Sequence, residues 1–171
     1  YGLTKKVLVS DMLCDMEDVS KWTHKGVGTM YQSADRAISG NNSLKLTAPT
    51  VLNEFLNWGI GRGTSMASYD TGGANWEKYN RIHFYIYPDC EGARSIYLNL
   101  YIENDGKIKV PDQYGREGFH EINLVNRRWN ECYVEMPELS RDKVTKISFA
   151  IEVFGKELTM GDSLKFDIDA V

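Results

Sequence analysis

The chain of 171 residues is poor in several things, and each shortage excludes something. It has three histidines, His24, His83 and His120, and no HExxH, GxSxG or phosphate-cradling glycine loop. Metalloproteases, serine hydrolases of that type and P-loop enzymes therefore lack their parts. The "GIGRG" run has the glycines of a nucleotide loop but no helix pattern after it. Its three cysteines, Cys14, Cys90 and Cys132, are widely spaced and form no CxxC pair, which leaves neither a zinc knuckle nor a disulfide framework, although the spacing has room for one bridge. No apolar run approaches the roughly 20 residues of a membrane span. Neither sign of charge dominates, with 20 basic against 24 acidic residues and a net charge of -4, so nucleic acid and membrane surfaces find no counterpart here. The chain opens on Tyr1 without a charged, apolar leader and stops inside a strand pattern at Val171. We therefore expect a single domain, residues 1–171, cut from a longer chain.

What is present is alternation with a period of two. In "RIHFYIY" Ile82, Phe84 and Ile86 alternate with His83, Tyr85 and Tyr87; in "SIYLNLYIE" Ile96, Leu98, Leu100 and Ile102 alternate with Tyr97, Asn99 and Tyr101. "KISFAIEVF" and "SLKFDIDAV" repeat the pattern, and "KKVLV", "GTMYQS", "NSLKLTA", "EFLNWGI", "FHEINLV" and "ECYVEM" are shorter candidates. Turn signals separate them: "SGNN", "TGGAN", "PDCEG", "ENDG", "DQYG" and "FGKE". One helical turn is expected in each of "DMEDVSKW" and "PELSRDKV". About ten short strands without a long amphipathic helix predict a β-sandwich or barrel.

The order of motifs narrows this. "LCDMEDVSKWTH", "AISGNNSLKLTA", "DTGGANWEKYNRIHFYIYPD", "RRWNECYVEMPELSRDKVTKISFAI" and "SLKFDIDAV" follow one another over almost the whole chain. This resembles the jelly-roll, galactose-binding-like carbohydrate-binding modules appended to bacterial glycoside hydrolases. The resemblance implies a jelly-roll β-sandwich of two antiparallel sheets and a non-catalytic accessory domain that binds a polysaccharide or oligosaccharide. It also implies a catalytic domain in the same chain, and a secreted, periplasmic or cell-surface location. By the same resemblance a structural calcium ion would join Glu17, carbonyls of the turn from Gly40 to Lys45, and Asp169, with Asp167 as the alternative ligand on the same strand face. The residues themselves also allow Glu17 and Asp169 to be solvated or paired with Lys45 or Lys165.

Sugar recognition needs aromatic faces and planar polar groups. If the two long alternating strands pair as a hairpin, His83, Tyr85, Tyr87, Tyr97, Asn99 and Tyr101 share one surface; if they belong to different sheets, the surface divides. Tyrosines on strands also stabilise sheets without binding anything, and such a surface can pack against a neighbouring domain. In "FLNWGIGRG", Trp58 among glycines is the first choice for stacking, with Arg62 as a planar donor to hydroxyls or a uronic carboxylate. Trp22, Trp76 and Trp129 are assigned to packing. Two rivals stand beside a binding module: a sandwich that only packs against a catalytic neighbour, and a jelly-roll lyase or hydrolase built on His83, Tyr85 and Arg62. The lyase reading lacks the Tyr-x-Lys-x-Gly-x-Tyr-like strand such enzymes carry.

Overall fold

The computed structural model describes residues 10–53, 57–60, 65–108, 119–136, 139–155, 157–159 and 161–171, with the backbone alone for 51–53, 57–60, 119 and 120. Twelve strands follow one another: β1 (Trp22–Gly26), β2 (Thr29–Ser33), β3 (Ser43–Pro49), β4 (Val51–Asn53), β5 (Asn57–Ile60), β6 (Ser65–Ala74), β7 (Arg81–Asp89), β8 (Ser95–Asn104), β9 (Phe119–Asn123), β10 (Asn130–Glu135), β11 (Val144–Phe154) and β12 (Ser163–Asp169). They form two antiparallel sheets. One has five strands in the order β10-β7-β12-β3-β2. The other has seven, with β11 at its centre: β8 pairs along the whole of β11 and carries β9, while β6 with β1, and β5 with β4, pair on β11 as well.

Alternation dictates the packing. Ile82, Phe84 and Ile86 of β7, Leu164, Phe166 and Ile168 of β12, and Leu44 and Leu46 of β3 face the core from the five-stranded sheet; Ile96, Leu98, Leu100 and Ile102 of β8 and Ile147, Phe149, Ile151 and Val153 of β11 meet them from the other. Phe149 packs on Phe84 at 4.9 Å and on Trp22 at 5.7 Å, so two sheets and the entry to β1 meet on one ring. This is the sandwich that the alternation predicts.

Several expectations need correction. No helix occurs among the described residues; 15–21 and 139–143 run as bends and turns. "TGGAN" does not turn the chain. Thr71, Gly72 and Gly73 form a bulge in β6 opposite Thr145, since Ala74 pairs with Val144 and Asp70 with Lys146, and both glycines take positive φ. Cys14, Cys90 and Cys132 are free and buried, so the one bridge the spacing had room for is not made. Burial lifts the thiols of Cys90 and Cys132 to about 12, which leaves them protonated and inert. "KKVLV" and "DQYG" lie outside the described residues. "ENDG" behaves as predicted: Asn104 and Lys107 exchange backbone bonds across Asp105 and Gly106, at φ 51° and 74°. A Cβ on Gly106 would touch nothing, so Gly106→Ala should cost only the left-handed conformation, about 1 kcal/mol, measurable by urea unfolding.

Candidate functional site

The two long alternating strands do not pair with each other. β7 lies between β10 and β12 in one sheet, and β8 between β11 and β9 in the other. The outward residues of β7 and β8 therefore sit on opposite faces of the sandwich, and the tyrosine surface divides.

On the five-stranded sheet, pairing places His83 beside Tyr133 and Tyr85 beside Glu131. The rings of His83 and Tyr133 stack at 4.6 Å, the Arg81 guanidinium lies 4.7 Å from the Tyr133 ring, and Tyr85 meets His83 edge-on at 4.9 Å. One carboxylate oxygen of Glu131 faces His83 Nε2 at 3.0 Å and accepts the hydroxyls of Tyr85 and Tyr133. Donation from Tyr133 above all, with help from His83 and Tyr85, holds the Glu131 carboxyl below its ordinary range. Farther along, Tyr87 lies under Arg36 at 4.4 Å and edge-on to Trp129. Ring faces and polar atoms on this side are thus already used by one another. Glu131 and Tyr133 were legible as the outward half of "ECYVE", but only the pairing of β10 with β7 brings them to His83. Trp22 and Trp76 are core residues as expected, while half-buried Trp129 packs on Tyr87 outside the core.

The seven-stranded sheet differs. Tyr97, Asn99 and Tyr101 of β8 stand opposite Glu152, Ala150 and Ser148 of β11. Ser148 in turn shares a 2.8 Å hydrogen bond with Ser68 of β6. Tyr97 stacks on Phe154 at 5.7 Å. Asn99, fully buried on this outward row, donates from Nδ2 to Glu152 at 3.3 Å, while its Oδ1 meets no donor among the described residues. Trp58 of β5 is in register with Leu52 of β4, two strands of which only the backbone is described, and Arg62 lies outside the described residues.

The residues tied by resemblance to calcium surround one turn. Glu17 Oε1 accepts the N–H groups of Asn41 at 2.7 Å and Asn42 at 2.9 Å, and Oε2 accepts the Asn42 side-chain amide at 2.8 Å. Asp169 Oδ2 accepts the N–H groups of Ile38 at 2.6 Å and Ser39 at 3.0 Å, and Oδ1 that of Ala170 at 2.7 Å. Lys45 is placed differently: it lies within β3, buried, with its ammonium against Asp35 and 3.6 Å from Asp167. Arg36 bridges Asp167 and Asp89, each at 3.4 Å. Burial pushes the Asp167 carboxyl up, against Lys45, Ser43 and Arg36, and burial wins. The backbone donor from Asn41, joined by both donors of Asn42, holds Glu17 below its ordinary range. Among the described residues no three of His, Cys, Asp and Glu gather around a common point, and no helix is long and apolar enough to cross a membrane.

No family model matches the chain. No curated protein matches it either. Solved structures do. A family 11 carbohydrate-binding module from Clostridium thermocellum, in complex with a β-1,3-1,4-mixed-linked tetrasaccharide, is similar over 93% of this chain and 91% of its own, at 15% identity and a TM-score of 0.57. The family 11 module of a cellulosomal cellulase of Clostridium thermocellum is similar over 96% and 94%, at 15% identity and a TM-score of 0.58. A family 28 module specific for non-crystalline cellulose is similar over 91% and 90%, at 15% identity and a TM-score of 0.56. At this identity the likeness is one of fold: the chain is a β-sandwich of the kind carbohydrate-binding modules adopt.

Proposed function

We propose that this domain is a non-catalytic carbohydrate-binding module whose site is the outward face of the seven-stranded sheet. The observation that carries the choice of face is the pair of half-buried rings of Tyr97 and Tyr101 on one outward row, with Tyr97 stacked on Phe154 behind it. Tyr97 and Tyr101 supply flat, water-tolerant rings, Asn99 beneath them holds Glu152 in place, and Trp58 and Arg62 are kept as candidates on the sequence alone. The opposite face is the weaker candidate because His83, Tyr85, Arg81, Tyr133 and Glu131 are engaged with one another. The fold likeness adds support, and the ligands of the similar modules, a mixed-linkage β-glucan fragment and non-crystalline cellulose, make neutral β-glucans the first polymers to try.

On this reading the domain works by position. Outside the cell and joined to a catalytic domain, it would hold that domain at its polymer and raise the effective substrate concentration. The test is affinity electrophoresis against mixed-linkage β-glucan, soluble cellulose derivatives and uronate-containing, algal and host polysaccharides. Retardation by at least one polymer is expected, weakened about tenfold in Tyr97→Ala or Trp58→Ala and unchanged in His83→Ala. Retardation abolished by His83→Ala alone moves the site to the other face. No retardation, with all variants folded, turns the reading to a domain that packs against a catalytic neighbour, and polymer turnover by the domain alone would make it an enzyme.

A further inference from the structure

The turn at residues 38–42 is where the N-terminal segment, the start of β3 and the last strand meet, and its hydrogen bonds have a consistent polarity. Backbone N–H groups of Ile38, Ser39, Asn41 and Asn42 all point at carboxylates, two at Asp169 and two at Glu17. A trans peptide sets its carbonyl opposite its N–H, and the peptides of this turn are trans. The carbonyls of Ala37, Ile38, Gly40 and Asn41 are therefore turned away from the carboxylate that their own peptide N–H serves.

Calcium needs six to eight oxygens facing one point. Here the groups facing the carboxylates are donors. Gly40, at φ 64°, opens the nest that presents two successive N–H groups to Glu17, and a Cβ on it would meet that same carboxylate oxygen. Two nearby carbonyls, those of Met16 and Glu17, are likewise taken, by Gln32 Nε2 at 2.8 and 2.6 Å. Each of the two carboxylates accepts three N–H bonds out of about four lone-pair sites. The donor set does not fit a calcium cage. Positive charge in this region comes instead from the chain itself, from Lys45 between Asp35 and Asp167 and from Arg36 between Asp167 and Asp89.

We infer that the clasp tying the N-terminal segment, the 38–42 turn and the last strand is independent of metal: N–H donors hold Glu17 and Asp169, and Lys45 and Arg36 supply the cations. The inference does not depend on what the domain binds. It is tested on the whole chain by elemental analysis of the protein as purified, and by calorimetry after dialysis against a chelator and again with calcium at about 5 mM. Melting temperatures within about 1 °C of each other, and less than about one-tenth of a calcium per chain as purified, are expected. A calcium site saturated about a hundredfold would raise the midpoint by roughly 5–10 °C in a chain of this size. A shift of that order that disappears in Glu17→Gln or Asp169→Asn overturns the inference. A shift that persists in both variants arises at another site and leaves it standing. Glu17 is exposed, so the Gln variant keeps the test usable if Asp169→Asn fails to fold.

Discussion

Phe149→Ala should cost about 4 kcal/mol and lower the midpoint of thermal unfolding by roughly 8–16 °C, the largest loss we expect from any single truncation in the core. The side chain is fully buried at the centre of β11. Its ring lies edge-on to Phe84 of the opposite sheet and stacked on Trp22, which itself meets Tyr69 edge-on at 5.3 Å. Truncation removes the transfer energy of a phenyl group and two aromatic contacts, and leaves a cavity walled by two sheets that cannot close on it without breaking their ladders. Phe149→Leu should recover more than half of the loss, because it refills most of the volume. Urea unfolding of the three proteins checks this. A loss below about 1.5 kcal/mol for the alanine variant would mean that the sheets collapse around the site and that the core is less constrained than the packing indicates.

The period of two makes the core face of each long strand readable from the amino-acid order alone: the inward residues of β7, β8, β11 and β12 are those the alternation selects. It is a property of one strand, however, and says nothing of which strand lies alongside. The link from β7 to β8 through "PDCEG" crosses from one sheet to the other, so six candidate residues divide into two sets of three. β6 is hidden in the sequence for a related reason. Its inward residues Ser65, Ala67 and Tyr69 are mostly small, and its paired glycines read as a turn where they make a bulge. Nor could the sequence show which charges are buried. Lys45 and Asp167 look like ordinary outward residues of half-buried strands, and only the segment 35–42, folded over the outer face of β12 and β3, removes them from water. The convergence of Glu17 and Asp169 on one turn was legible through motif order, but the direction of the peptide groups there was not, and it is on that direction that the inference of a metal-free clasp rests.

Lys45→Met should destabilise the domain by about 3 kcal/mol near pH 7, the lower end of the cost of breaking a buried ion pair, because Arg36 still faces Asp167. The Lys45 pKa is raised: burial pushes it down, and the carboxylates of Asp35 and Asp167 more than offset this. The pH dependence separates charge from packing. The Asp167 carboxyl is raised by burial, so protonating it favours the folded state in acid, and that contribution is lost as pH rises from the unfolded value near 4 through the folded one. Removing the ammonium takes away a lowering influence, raises the carboxyl further and widens this window. The Asp35 carboxyl is held low by the same lysine, a stabilising contribution of the parent protein that exists above pH 4 and fades in acid. Both effects have one sign: the deficit of Lys45→Met is greatest at neutral pH and narrows as the pH falls toward 4. Unfolding by urea at pH 7, 5.5 and 4 reads it directly. A deficit that stays constant over that range would assign the loss to a poor fit of the methionine thioether in the lysine's place, and the ammonium would no longer count among the groups that hold the clasp.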